Sequence, residues 1–171
     1  GLALGRIGCL LNGCCFGSTC NHTWAVTFPP DSPPYEAQVV RGEMFGFRIS
    51  GDRRAEPVVL GVEAGSPAAR GGLAPGDRLA RVGPYDVYST GDAHGALSAV
   101  FYKRQPFTIE TAAGATIAIP TPPAHRYEHS LKVHPTQVYS TINALLLCLL
   151  LLAYDPFRRR DGELFALFLS V

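Results

Sequence analysis

Arg6 stands inside the apolar run of residues 1–11, where an arginine is costly to place in lipid and is therefore a functional candidate. Its planar guanidinium offers two parallel donors to a phosphate; the plainer reading is an end-of-helix arginine reaching up to the headgroups. Asn12 and Gly13 follow as the run ends, and Asn12 either donates to a ligand oxygen or caps a helix. Gly5, Gly8, Gly13 and Gly17 suit close helix approach and an unwound turn. Far along the chain, HPTQVYS (residues 134–140) puts His134, Gln137 and Tyr139 at the opening of a second apolar run. They read either as a polar cluster that orients a ligand near the membrane surface or as an interfacial belt.

The elements that must hold these residues are membrane segments. Hydrophobic residues make up 47% of the 171 and charged residues only 17%, with a mean hydropathy of +0.11, an apolar excess that a single water-soluble domain rarely carries. The excess is concentrated in INALLLCLLLLAY (142–154), which, extended back to Val138, is just long enough to cross a bilayer. Arg158, Arg159 and Arg160 follow in a short turn before another apolar run, 164–171, which is a cytoplasmic hairpin by the positive-inside rule. Residues from about 13 to 134 then lie outside. The chain begins without Met and stops within an apolar run, so it is expected to be an excised fragment, and no cleavable signal peptide is visible. A net charge of +1 gives no electrostatic case for nucleic acid.

FPPDSPP (28–34) and PTPP (120–123) bracket an insert, because proline removes donors and breaks helices and central strands. Inside it, strands are expected at 44–50, 57–63, 78–82, 107–111 and 116–119, a short helix at 66–71 capped by Ser66, and a longer helix at 90–102. The stretch GSPAARGGLAPGDRLARV (65–82) resembles a PDZ domain, and the resemblance covers about 80 residues. Phe45, Gly46 and Phe47 resemble that family's loop, whose backbone N–H groups take a peptide carboxylate. The resemblance implies a peptide ligand added as a strand between residues 47–50 and helix 90–102, with His94 either facing that groove or solvated.

GRIGCLLNGCCFG (5–17) followed by HPTQVYS resembles bacterial prolipoprotein diacylglyceryl transferase, with its G-R-x-G-x-x-x-N-G signature and H-P-[ST]-Q-x-Y motif; TWAVTFPP (23–30) resembles the loop after the signature. The resemblance implies an α-helical multi-pass membrane protein of the bacterial inner membrane. Here it would be interrupted by an α+β PDZ-like domain, a small partly open β-barrel with two helices, on the extracytoplasmic side. Expected divisions are 1–43 for the end of a transmembrane helix, signature and outer loop, 44–123 for the PDZ-like domain, and 124–171 for linker, transmembrane helix, basic turn and the next helix. The implied reaction moves a diacylglyceryl group from phosphatidylglycerol to the lipobox cysteine of a lipoprotein precursor, without a cofactor. Arg6 and His134 are implied at the chemistry, Arg6 on the phosphate, with Asn12, Gly13, Gln137 and Tyr139 binding substrate. Cys9 and Cys14 depart from polar or acidic positions of the family, and Ser140 replaces its glutamate. The family's upstream histidine-glycine segment and later arginine-bearing helix lie outside these residues.

HRYEH (125–129) matches an inverted zinc-protease pattern, but the prolines before it make it read as a linker rather than a helix. Cys9, Cys14, Cys15, Cys20 and His22 lack a C-x-x-C pair, so disulfides or free thiols are expected there and no metal. The rival classes are a membrane-anchored PDZ adaptor and a protease-associated regulatory protein; a protease proper should show H-E-x-x-H or G-x-S-x-G, and neither is present.

Overall fold

A computed structural model describes residues 2–160 and 162–170. Its elements, in chain order, are α1 (Leu2–Asn12), α2 (Pro33–Val40), β1 (Phe47–Ile49), β2 (Val59–Val62), α3 (Pro67–Arg70), β3 (Leu79–Val82), β4 (Tyr85–Asp86), α4 (Thr90–Lys103), β5 (Phe107–Thr111), β6 (Thr116–Ile119), α5 (His125–Glu128), α6 (Thr136–Tyr154) and α7 (Glu163–Ser170). They fall into two compact units, one of residues 1–26 with 132–171 and one of residues 27–131.

In the unit of residues 27–131, β1 pairs antiparallel with β2, and a four-stranded antiparallel sheet runs β4-β3-β5-β6. A bridge between Val58 and Arg78 leans the start of β2 against β3. Local chemistry fixes the helix starts. Ser66 Oγ accepts from Ala69 N–H with Pro67 at the first helical position of α3, and Ser89 with Asp92 forms a full capping box on α4. Phe101 of α4 sits at the centre of the core, edge-on to Tyr35 and Phe45 and stacked on Tyr127 at 4.7 Å.

Four expectations need correction here. The 28–34 stretch is not wholly irregular: α2 starts at Pro33, because prolines at the first two helical positions lack only N–H groups that would be unpaired anyway. The compact unit is wider than 44–123, since Tyr35 and Val39 before it are buried in the core and Tyr127 after it packs against that core. Residues 125–128 form one helical turn rather than a plain linker, but His129 is already extended, so the two imidazoles do not share a helix face. The strand expected at 44–50 is shorter, Phe47–Ile49, because Met44 and Phe45 belong to a 3-10 turn, Glu43–Phe45, between the left-handed Gly42 and Gly46.

In the other unit, α1 packs along α6 and the loop after α1 is sewn to residues 132–134. Val133, fully buried, bridges both Thr19 and Val26. Helix and following turn over Thr136–Phe157 are long and apolar enough to cross a membrane, the one such segment among the described residues. Only 6% of its apolar window is buried, whereas the core helix of a water-soluble domain would be covered.

Candidate functional site

Where α1 ends, the chain makes a Schellman turn. Gly13 takes φ +73°, its N–H donates to Leu10 O at 3.1 Å, and Cys14 N–H reaches back to Cys9 O at 3.1 Å. Asn12 thus occupies the C-cap position with its side chain exposed, and Gly13 is the left-handed residue after it, the geometry that glycine adopts without a Cβ penalty. Cys15 is left-handed too, at φ +57°, which costs a residue with a side chain of order 1 kcal/mol.

The second motif clamps this turn. Gln137, 1% exposed, donates from Nε2 to Cys14 O at 2.5 Å, and Thr136 Oγ1 donates to Cys15 O. Gly17 N–H donates to His134 O and His134 N–H to Ser18 O, both at 3.0 Å. A Cβ on Gly17 would lie 2.8 Å from the Cβ of His134, so the two strands of this clamp touch only because residue 17 is glycine. Gln137 Oε1 is buried and has no hydrogen-bond partner among the described residues.

Beside the clamp lies a ring cluster. Trp24 Nε1–H donates to the Tyr139 hydroxyl at 2.8 Å, His134 Nδ1 lies 3.4 Å from the same oxygen, and His22 stacks flat on Trp24 at 4.7 Å with its ring 5.4 Å from that of His134. The structure therefore brings His134, Gln137 and Tyr139 together with the turn at Gly13. His22 and Trp24 were not among the expected site residues, although Trp24, the chain's single tryptophan, lies in the TWAVTFPP stretch that resembles the loop after the signature.

Arg6 is not in this cluster. It lies seven residues before Gly13, about 10 Å along the helix axis, half-buried and without a hydrogen bond or ion pair among the described residues. Gly5 and Gly8 do not serve close approach within this unit, because a Cβ on either would meet nothing within 4 Å. The Sγ atoms of Cys9, Cys14 and Cys15 lie within 4.8 Å of one another, despite the spacing that argued against it, and all five cysteines are free. A hydrogen bond from Cys9 holds the Cys14 thiol below its ordinary pKa, against its partial desolvation.

The expected peptide site in residues 27–131 differs from expectation at every position. Phe45 and Phe47 are buried core residues, and the N–H groups expected to cradle a carboxylate are spent: Phe45 and Phe47 donate to Gly42 O and Gly46 to Glu43 O. Gly46 is required by its φ of +86° and by Ser66, whose Cβ would lie 2.4 Å from an added Cβ. The outer edge of β1 is taken, since Ile49 N–H donates to Arg41 O at 2.9 Å, and α2 packs on α4 beside it. His94 neither faces an open groove nor is solvated; it is buried, with Nε2 2.8 Å from Ser50 O.

The one helix among the described residues that is long and apolar enough to cross a membrane thus opens on a buried glutamine, a histidine and a tyrosine. A family model described as prolipoprotein diacylglyceryl transferase matches residues 1–171, and the chain belongs to that family, whose members are multi-pass proteins of the bacterial inner membrane. It is similar to the phosphatidylglycerol–prolipoprotein diacylglyceryl transferase of Rhodopirellula baltica, with 35% identity over 88 residues that make up 46% of this chain and 18% of that protein. The chain therefore aligns with less than a fifth of that relative's length.

Proposed function

We propose that the protein to which this chain belongs transfers the diacylglyceryl group of phosphatidylglycerol to the thiol of a lipobox cysteine in a lipoprotein precursor. The observation that carries this reading is the clamp itself: the H-P-T-Q motif holds the carbonyls of Cys14 and Cys15 and leaves Gln137 Oε1 free to accept from a headgroup hydroxyl. In the reaction the cysteine sulfur attacks the glyceryl carbon that bears the phosphate ester. The C–S bond forms as the C–O bond breaks, glycerol phosphate departs with the electron pair, and the thiol proton is lost to solvent or to the departing phosphate. Charge grows on that phosphate in a site of low dielectric, and Arg6, on the α1 helix that enters the apolar layer, offers it a two-point cation. His134 and Tyr139, joined through the tyrosine oxygen and backed by Trp24, orient the headgroup at the outer end of α6.

On this reading Arg158–160 face the cytoplasm and residues 27–131 lie outside the membrane as a PDZ-like domain. Its strand order and capped helices support that fold. A peptide would have to displace residues 41–42 from β1 before it could add there.

Arg6 tests the proposal. With the full-length protein, phosphatidylglycerol and a lipobox peptide, Arg6→Lys should slow thioether formation by roughly tenfold to a thousandfold, the range of a lost oxyanion donor, because lysine keeps the charge and loses the fork. A normal rate in Arg6→Ala would make Arg6 a headgroup anchor and remove it from the chemistry.

A further inference from the structure

We propose that Cys9, Cys14 and Cys15 form a thiolate site for one thiophilic d10 cation, of the zinc and cadmium class, at the turn that ends α1. Their three Sγ atoms lie within 4.8 Å of one another. A tetrahedral metal with bonds of about 2.3 Å to sulfur needs its thiolates roughly 3.8 Å apart, so closure requires about 1 Å of movement or less. The three donors come from both sides of one rigid turn: Cys9 from the last turn of α1, Cys14 from the residue that closes the Schellman motif, and Cys15 from a left-handed position that folds its side chain back toward the other two. Gln137 and Thr136 fix the carbonyls of Cys14 and Cys15, so the backbone that presents two of the donors is held before any ion arrives.

The donor set is all sulfur, with no carboxylate or imidazole in the group, which selects soft ions over magnesium or calcium. Cys15 is exposed and leaves a fourth position to water or an outside ligand. Binding exchanges three thiol protons for the ion, giving a trithiolate complex of net charge −1 and three protons released to solvent. The bound ion would cross-link the end of α1 to the signature turn, a structural role independent of the transferase reading.

The test is a cadmium titration of the full-length protein in detergent, reduced and stripped of metal, read by sulfur-to-cadmium charge-transfer absorption with zinc as competitor. One equivalent should bind. Cys14→Ser should weaken binding by about a hundredfold or more, beyond what loss of an outer-shell partner costs, and Cys20→Ser should leave it unchanged. On the unaltered protein, the ion should protect Cys9, Cys14 and Cys15 together from alkylation while Cys20 still reacts, which separates a metal site from a misfolded variant. Absence of the charge-transfer band, binding indifferent to Cys14→Ser, or a protein isolated with a disulfide between two of the three that takes up no ion after reduction overturns the proposal. Transfer activity is not read in any of these arms.

Discussion

Single residues in this chain are explained best by what a Cβ would hit. Gly46 and Gly61 make the contrast measurable in the unit of residues 27–131: one is left-handed and faces Ser66 at 2.4 Å, the other has open space within 4 Å. Gly46→Ala should cost about 2–3 kcal/mol in denaturant unfolding and Gly61→Ala less than about 0.5, so equal costs would contradict the packing described. Gly17→Ala should likewise lower the thermal midpoint of the full-length protein, through its collision with His134. Sequence alone made Gly13 and Asn12 legible as a helix end, because the apolar run stops there. It also marked Gly46 as special but assigned the wrong neighbour, since a close approach to Ser66 and one to a ligand demand the same residue type. His22 and Trp24 escaped because nothing in their spacing says that a β-bridge at Val133 will carry them to Tyr139.

Helix starts were the most legible elements, since Ser66 and Asp92 act within three residues of where they stand. Ser89→Ala should destabilise the unit by about 1 kcal/mol through loss of the α4 cap. The Asp92 carboxyl is held below its ordinary value by the Ser89 hydroxyl first and then by the N–H groups of Tyr88 and Ser89. A depressed carboxyl lends stability above its unfolded pKa and loses it as pH falls through the folded value, so its contribution should fade below about pH 4 and that pH dependence should shrink in Asp92→Asn. Less legible was α2, because two prolines read as a break when their place is the first turn of a helix. Tyr35 of α2 is 2% exposed and edges Phe101. A protein of residues 27–131 should therefore unfold cooperatively, while residues 44–123 alone should lose several kcal/mol, since removing one large buried aromatic costs about 3–5. Equal melting of the two would place α2 outside the core.

At the scale of the whole chain, the sequence separated apolar helix from β-rich insert by composition, and the described structure divides into two units at residues 27 and 131 rather than at the proline runs. Compactness follows buried contacts, and prolines mark only where regular hydrogen bonding stops. Orientation rests on the arginine triplet: a periplasm-only reporter fused after Thr121 should be active and one fused after Arg160 silent, and activity at Arg160 would overturn it. The central claim is transfer itself. Purified full-length protein, given phosphatidylglycerol vesicles and a lipobox peptide, should yield one diacylglyceryl thioether for each glycerol phosphate released, and a peptide with serine in place of the lipobox cysteine should yield neither. Glycerol phosphate released without thioether, or a well-folded preparation that forms no thioether at all, would contradict the account.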